Sequence, residues 1–279
     1  MLLHNSDKQV MKKTSFNEIR SNARVALRGN YTTLIFSGII SIVISLLLMS
    51  FAEQMVSILF FAFFQGSNLM AFKIITCFFN ILVILILSPL RFGQILQYMK
   101  TARNMQPGIG DIFKPYDVHP KTILLITFLI YIFTMLAMLP LLISFILIHT
   151  AITRWNILLL FFGEIATLII SAKVFLDFSM APYYFMDHPK MTAIEILKNS
   201  KKLIHGNRIR YMLFLLSFIG YALLGVATFF IGYIWILPYI SASKSYFYQT
   251  LINKRKRIKP KPDWRPYISN ADDFRNSIY

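Results

Sequence analysis

Long runs of apolar residues, separated by short polar and basic stretches, dominate the pattern of this 279-residue chain. A helix needs about 20 apolar residues to cross the hydrocarbon core of a bilayer. The apolar runs therefore predict six membrane-spanning helices, at about 31–51, 74–98, 122–148, 156–180, 210–227 and 230–250. The last two spans belong to one run that is long for one crossing, so a short turn is predicted near Ala227–Phe230. The predicted fold class is an all-α membrane protein of about six transmembrane helices arranged as three hairpins.

The basic residues are distributed unevenly between the polar stretches. Of the 29 Lys and Arg residues, 26 lie in the segments 1–30, 91–121, 187–210 and 244–279, which six spans would bring to one side. Basic loops remain on the cytoplasmic side of a membrane. The charge pattern therefore predicts a multi-pass protein of the cell membrane with both termini cytoplasmic. Five spans would put the basic stretch KRKRIKPK on the opposite side.

Composition supports membrane insertion and excludes some partners. With 56% hydrophobic and 15% charged residues, the chain lies far outside the usage of soluble domains. A net charge of +17 would suggest nucleic acid in a soluble protein, but here the basic residues flank apolar runs. We therefore expect no nucleic-acid partner. The single Cys77 excludes a disulfide framework within one chain.

Two amphipathic stretches, SFNEIRSNARVALRGN at 15–30 and TAIEILKNSKKLIHGN at 192–207, resemble each other. Each opens with a capping box, Ser15-x-x-Glu18 or Thr192-x-x-Glu195, and each closes with Gly-Asn, where glycine accepts the left-handed conformation that ends many helices. The stretches predict surface helices at 15–28 and 192–205, before spans 1 and 5, with an apolar stripe at the headgroup boundary and basic residues around it. Internal duplication would explain the resemblance. The alternative is that any amphipathic helix before a span looks alike.

The chain is interpreted as a flexible N-terminus (1–14), a single polytopic membrane domain (15–252) and a basic, mobile cytoplasmic tail (253–279). Met11 is as plausible a translation start as Met1. Basic side chains close to the cytoplasmic surface attract anionic lipids. The candidate lipid contacts lie on the second surface helix and in the tail: Lys201, Lys202, Lys254, Arg255, Lys256 and Arg257.

Glu164 is the candidate intramembrane polar site. It lies well inside the fourth predicted span, about 10 Å from its outer end. An acid at that depth is costly and is a candidate for proton or cation binding, and the alternative is a structural glutamate held between helices. Lys173 and Asp177, one turn apart in the same span, are predicted to neutralise each other.

Two parts of the sequence resemble a known family. They are ARVALRGN at 23–30, and a longer block running from SMAPYYFMDHP at 179–189 through IGYIWILPY at 231–239 to SYFYQTL at 245–251. At these residues the chain resembles the bacterial membrane family catalogued as domain of unknown function 975, over most of its length. The resemblance implies a multi-spanning membrane protein, and it carries no established activity or catalytic residues.

The sequence contains no Gly-rich phosphate loop, no nucleophile elbow, no paired carboxylates and no histidine spacing typical of a metal site. We therefore expect no enzymatic activity, no cofactor and no metal. The leading hypothesis is a non-catalytic, membrane-embedded interaction or envelope-associated factor, which leaves room for an unidentified membrane protein partner. The alternative is a transporter or lipid-handling protein, which would need a polar cavity facing the bundle interior.

Overall fold

The computed structural model describes residues 14–64, 69–150 and 154–255, and all regular secondary structure in them is helical. The predicted all-α class is confirmed. The helices, with one 3-10 turn at Ile109–Ile112 before α4, are α1 (Phe16–Leu27), α2 (Tyr31–Phe64), α3 (Leu69–Ala102), α4 (Lys114–Asp117), α5 (Pro120–Ala137), α6 (Leu139–Thr150), α7 (Arg154–Phe178), α8 (Ala181–Asp187), α9 (Ala193–Ile204), α10 (Arg208–Leu216), α11 (Ile219–Ala227) and α12 (Tyr233–Arg255).

Within the described residues, five helical stretches are long and apolar enough to cross a membrane. They are Tyr31–Ala62, Ala71–Ala102, Pro120–Leu147, Trp155–Asp187 and Arg208–Ala227. The sixth predicted span, 230–250, falls in α12, which is not among them because its second half contains Lys244 and many hydroxyl and amide side chains. The chain is therefore a membrane protein with five candidate spans, and the count of six stays a prediction.

The first two candidate spans are longer than predicted. α2 and α3 contain 34 residues each. At 1.5 Å per residue each is about 51 Å long, well beyond the thickness of a hydrocarbon core. The stretch 52–64 contains no glycine or proline, so nothing in it ends the helix that begins at Tyr31.

Two predicted spans are interrupted. α5 and α6 are separated at Met138, two residues before Pro140, whose ring disfavours a continuous helix interior. α10 and α11 are separated at Ser217 and Phe218, where the Ser217 hydroxyl donates to a carbonyl of the preceding turn. The predicted third and fifth spans are thus each built from two helices.

The turn predicted near Ala227–Phe230 is present between α11 and α12. The N–H groups of residues 228–236 all donate to acceptors within residues 224–232, including the Thr228 hydroxyl oxygen. Phe229 and Phe230 have φ angles of 50° and 67°, and their side chains are 88% and 67% exposed. The turn is apolar, and its amides are satisfied within the turn and the helix ends beside it.

The main buried cluster lies at one end of the bundle, and we call it the basal core. It combines α1, α8, α9 and α10 with the N-terminal part of α5 and the C-terminal parts of α3 and α12. Its fully buried members include Ile19, Leu27, Leu96, Phe185, Ile196, Ile204, Phe214, Phe247 and Tyr248. Away from it, apolar side chains of α2, α6 and α7 are exposed, as Leu47 and Leu168 illustrate. Polar and basic segments therefore gather around the basal core, and an apolar surface covers the rest.

The two predicted surface helices are present as α1 and α9, but their apolar stripes do not face outward. Ile19, Ala23 and Leu27 of α1 are buried, and α1 packs against α3 and α12. The stripe of α9, including Ile196 and Ile204, is buried against α5, α7 and α8. The apolar stripes therefore pack against the ends of the spans. The position of the two helices at the headgroup boundary stays a prediction.

The caps of these helices follow the prediction only in part. The Thr192 box is complete: the Thr192 N–H donates to Glu195 Oε2 at 3.1 Å, and the Glu195 N–H donates to Thr192 Oγ1 at 3.4 Å. Ser15 instead accepts from the Asn17 N–H, and the reciprocal bond is not formed. Gly29 and Gly206 have φ angles of +87° and +79°, as the predicted C-terminal stops require.

Candidate functional site

Glu164 lies in the middle of α7. It lies nine positions after Trp155 and nine before Lys173, about 13 Å of helix in each direction. Its side chain is exposed, whereas the preceding Gly163 is buried against Ser144 of α6. It forms no hydrogen bond or ion pair with any other described residue. The carboxyl group therefore points away from the neighbouring helices instead of into the bundle.

The predicted pairing of Lys173 with Asp177 is wrong. Asp177 is buried, and its Oδ1 lies 2.5 Å from Nη2 of Arg208 at the start of α10. The backbone carbonyl of Asp177 accepts from the Ser200 hydroxyl of α9 at 2.9 Å, while Lys173 is exposed. α7 turns Asp177 toward α9 and α10, so its partner comes from tertiary structure and not from local spacing.

The predicted lipid contacts fall in three places. Lys201 and Lys202 are exposed on α9. Lys254 and Arg255 are the last residues of α12. Lys256 and Arg257 lie outside the described residues. Their binding to lipid stays a prediction.

A first buried polar network, which sequence reasoning missed, attaches the segment after α3 to that helix. Nζ of Lys100 lies 3.1 Å from Oδ2 of Asp111, and Nζ of Lys114 lies 2.7 Å from Oδ1. Gln97 accepts from the Ser37 hydroxyl of α2 and donates to the carbonyl of Gly108, both at 2.7 Å. Segment 108–114 is thus held against α3, and through Gln97 it is linked to α2.

A second network joins α3, α8 and α12. The side chain of Asp187 is fully buried. Nη2 of Arg103 donates to both of its carboxylate oxygens, at 2.8 and 3.0 Å, and the Tyr248 hydroxyl donates to Oδ2 at 2.9 Å. Bonds of this charge-assisted kind are among the strongest in proteins, so the network fixes the C-terminal ends of α3 and α8 to α12.

This second network connects two of the sequence stretches that carry the family resemblance. Asp187 belongs to SMAPYYFMDHP and Tyr248 to SYFYQTL, and the two lie 61 positions apart in the sequence. An acid and a tyrosine at the polar ends of two helices are only a weak signal of such contact. The two stretches that resemble the family are thus joined by the buried hydrogen bond between Asp187 and Tyr248.

The described residues do not bring together the side chains of a metal centre. No three His, Cys, Asp or Glu side chains among them come close enough to hold a metal ion. The buried carboxylates of Asp111, Asp177 and Asp187 are each paired with a basic side chain of the protein itself. The polar chemistry of the basal core is thus chiefly structural.

Comparison with known proteins identifies the family. Searches of curated proteins and of solved structures each found no match to the chain. The family described as "Protein of unknown function (DUF975)" matches residues 11–256, which include both surface helices and all five candidate spans. The chain therefore belongs to the DUF975 family of proteins of unknown function.

Proposed function

We propose that this protein is a multi-pass protein of the cell membrane without catalysis of its own, acting as a membrane-embedded interaction or envelope-associated factor. Glu164 is the observation that carries the proposal. A charged side chain at the centre of a membrane helix costs about 3 kcal/mol on insertion scales, and such residues normally face the bundle interior. Because Glu164 faces outward, a polar group on a helix of another membrane protein is its expected partner.

The proposed topology is six spans in three hairpins, with the basal core and both termini on the cytoplasmic side. Contacts between successive helices support the pairs. Ser37 of α2 bonds Gln97 of α3. The Leu141 N–H of α6 donates to the Thr167 hydroxyl oxygen of α7 at 3.1 Å. The Tyr233 hydroxyl of α12 donates to a carbonyl of α11. Basic loops around the basal core support its cytoplasmic orientation.

Cysteine labelling tests this topology. Native Cys77 is exposed, so it is first replaced by serine. Ile231→Cys, in the turn after α11, is expected to react with a membrane-impermeant maleimide in intact cells. Lys201→Cys, on α9, should react only after the membrane is permeabilised. Labelling of both positions from the same side would contradict the six-span proposal.

Photo-crosslinking tests the partner that Glu164 is expected to meet. A photoreactive amino acid at Leu168 lies one turn from Glu164 on the same exposed face of α7. We expect a crosslinked product of discrete protein mass, and Glu164→Gln should reduce its yield several-fold, because the charged acceptor is lost.

The matched control uses the other side of α7. Ile169 is also exposed, but it lies about 140° around the helix from Glu164. The same photoreactive residue at this position should give mainly lipid adducts. If position 168 also gives lipid adducts only, no protein partner meets this face and the interaction proposal fails.

Transport or lipid handling is the alternative function, and the interrupted helices favour it. Many transporters bind substrate where membrane helices are broken, because unwound backbone offers polar groups at that depth. Here the candidate spans are interrupted at Met138 and at Ser217–Phe218. Uptake or lipid transfer that Glu164→Gln abolishes, without a protein crosslink at position 168, would replace the interaction proposal with this one.

Anionic lipids at the cytoplasmic face are the second class of partner that we propose. Exposed Lys201 and Lys202 on α9 support it, together with the basic sequence from Lys254 to Arg257. Clusters of lysine and arginine directly beside a membrane helix are typical of binding to negatively charged headgroups.

A further inference from the structure

Segment 108–117 runs back along α3 toward the apolar part of that helix. At one end the Gly108 carbonyl accepts from Nε2 of Gln97 at 2.7 Å. At the other end the Tyr116 hydroxyl donates to the carbonyl oxygen of Ile86 at 2.9 Å. Gln97 and Ile86 lie eleven positions apart, about 17 Å along the helix. The segment therefore follows α3 over about half the thickness of a hydrocarbon core.

Two exposed cations indicate where α3 crosses the hydrocarbon core. Lys73 and Arg91 are exposed, and the residues between them, 74–90, include no charged side chain. The two cations lie eighteen positions apart, about 27 Å along α3, which matches a hydrocarbon core about 30 Å thick. Because charged side chains avoid that region, Arg91 marks its edge on the side of the basal core. Ile86 is then about 8 Å inside this edge, and Gln97 is about 9 Å outside it.

The segment carries two exposed aromatic side chains at this edge. Phe113 and Tyr116 are 44% and 37% exposed. The backbone carbonyl of Ile112 packs directly against Gly93. Gly93 is only two positions from Arg91. Phe113 therefore lies near the edge of the hydrocarbon core, and the Tyr116 hydroxyl lies inside it.

Polar groups of the segment are satisfied within the protein. The N–H groups of Asp111, Phe113 and Tyr116 donate to carbonyl oxygens of the segment itself. The Asp111 carboxylate pairs with two lysines. Irregular backbone close to lipid requires such pairing, because acyl chains offer no hydrogen-bond partners. Asp117, directly after Tyr116, is exposed, so its charge limits insertion to the edge of the hydrocarbon core.

We propose that Phe113 and Tyr116 anchor segment 108–117 in the cytoplasmic leaflet, at the boundary between lipid headgroups and acyl chains. Tyrosine is enriched at this depth, and phenylalanine is common on the buried face of interfacial segments. Lipid is the expected occupant because Tyr116 adjoins Ile86, which belongs with Leu82 to the exposed apolar surface of α3. Only the choice of leaflet rests on the proposed cytoplasmic orientation of the basal core.

Collision rates of nitroxide spin labels test the anchor, in the full chain in vesicles of phosphatidylcholine and phosphatidylglycerol. Oxygen concentrates among acyl chains, whereas a water-soluble nickel complex stays outside them. Phe113→Cys, with Cys77→Ser, carries the label at the proposed anchor. The unmodified chain, labelled at exposed Cys77 within the apolar stretch of α3, gives the lipid reference.

Ile109→Cys, also with Cys77→Ser, is the matched control. Ile109 is exposed to a similar extent, at 46%, but it follows Gly108, which bonds Gln97 on the aqueous side of the edge. We expect the ratio of oxygen to nickel collision rates to be several-fold higher at position 113 than at position 109, and to approach the ratio at Cys77.

A label at Tyr116→Cys gives a second, independent reading. Its ratio of oxygen to nickel collision rates should equal or exceed the ratio at position 113, because Tyr116 lies deeper. Each labelled protein should elute from a size-exclusion column as the unmodified protein does, which separates misplacement of the segment from misfolding. Either position alone, in a folded variant, decides the proposal.

Three results would overturn the anchor. Water-like ratios at both 109 and 113 would place the segment outside lipid. Lipid-like ratios at both would place the edge of the hydrocarbon core beyond Gln97, so the segment would enter the core instead of lying at its boundary. Slow collisions with both reagents at position 113 would mean that protein covers the aromatic pair, from a second copy or from another chain.

The orientation of the protein is tested separately from the depth of the anchor. Reversed labelling of Ile231→Cys and Lys201→Cys by the impermeant maleimide would overturn the assignment to the cytoplasmic leaflet. The collision ratios at positions 109 and 113 do not depend on which leaflet is involved. Failure of the proposed orientation and failure of the anchor are therefore distinguishable.

Discussion

Replacing Asp187 with alanine is expected to lower the free energy of unfolding by about 3–5 kcal/mol, the cost of breaking a buried ion pair by removing one partner. The side chain of Asp187 is fully buried and accepts from Arg103 and Tyr248. The substitution deprives both groups of this carboxylate, and Tyr248 is too deeply buried for water to replace it. Chemical unfolding of the purified protein in detergent measures the difference.

An exposed acid provides the control for this substitution. Asp117 at the end of α4 is exposed, so Asp117→Asn should change the free energy of unfolding by less than about 0.5 kcal/mol. Tyr248→Phe removes a single hydrogen bond to the carboxylate. It should lower the free energy of unfolding by about 1–2 kcal/mol, an effect between those of Asp187→Ala and Asp117→Asn. If the Asp187→Ala and Asp117→Asn variants have the same free energy of unfolding, the network does not stabilise the basal core.

Gly93→Ala is expected to lower the free energy of unfolding by about 2–3 kcal/mol or to prevent folding altogether. A Cβ atom at Gly93 would lie 2.2 Å from the carbonyl oxygen of Ile112 and 2.5 Å from its Cα. Both contacts are with backbone, which cannot rotate aside as a side chain can. The substitution should push segment 108–114 away from α3 and weaken the Lys100–Asp111 pair.

Gly38 of α2 is the matched control. A Cβ atom there meets nothing within 4 Å, and its backbone is helical. Gly38→Ala should therefore be neutral or stabilise the protein by up to about 1 kcal/mol, because alanine has the higher helix propensity. Equal thermal stability of the two variants would show that segment 108–114 does not pack tightly on α3.

Sequence patterns correctly predicted those helix ends and turns that depend only on residues close together in the sequence. The Thr192–Glu195 box and Gly206 define α9 at both ends, and the structure contains both features. The turn near Ala227–Phe230 was predicted from the length of one apolar run. The extension of α2 to Phe64 was missed, because the predicted end was chosen by bilayer thickness while the helix itself meets no residue that stops it.

What covers an apolar face could not be predicted from the pattern alone. Amphipathicity identifies Ile196 and Ile204 as one stripe of α9, but a stripe can face lipid or protein equally well. The same limit applies to charge. The spacing in the sequence predicted Lys173 as the ion-pair partner of Asp177, whereas the partner in the folded protein is Arg208. The depth of Glu164 follows from the sequence, but its outward direction depends on how α6 and α7 pack.

The turn between α11 and α12 has a consequence for how the last part of the chain enters the membrane. Residues 211–243 contain no charged side chain and no histidine. The amides of 228–236 are already satisfied by nearby acceptors. Transfer of this turn through the bilayer would therefore require neither the dehydration of an ion nor the loss of amide hydrogen bonds. We expect α10 to α12 to insert together as a preformed unit, with little need for machinery that moves hydrophilic loops across.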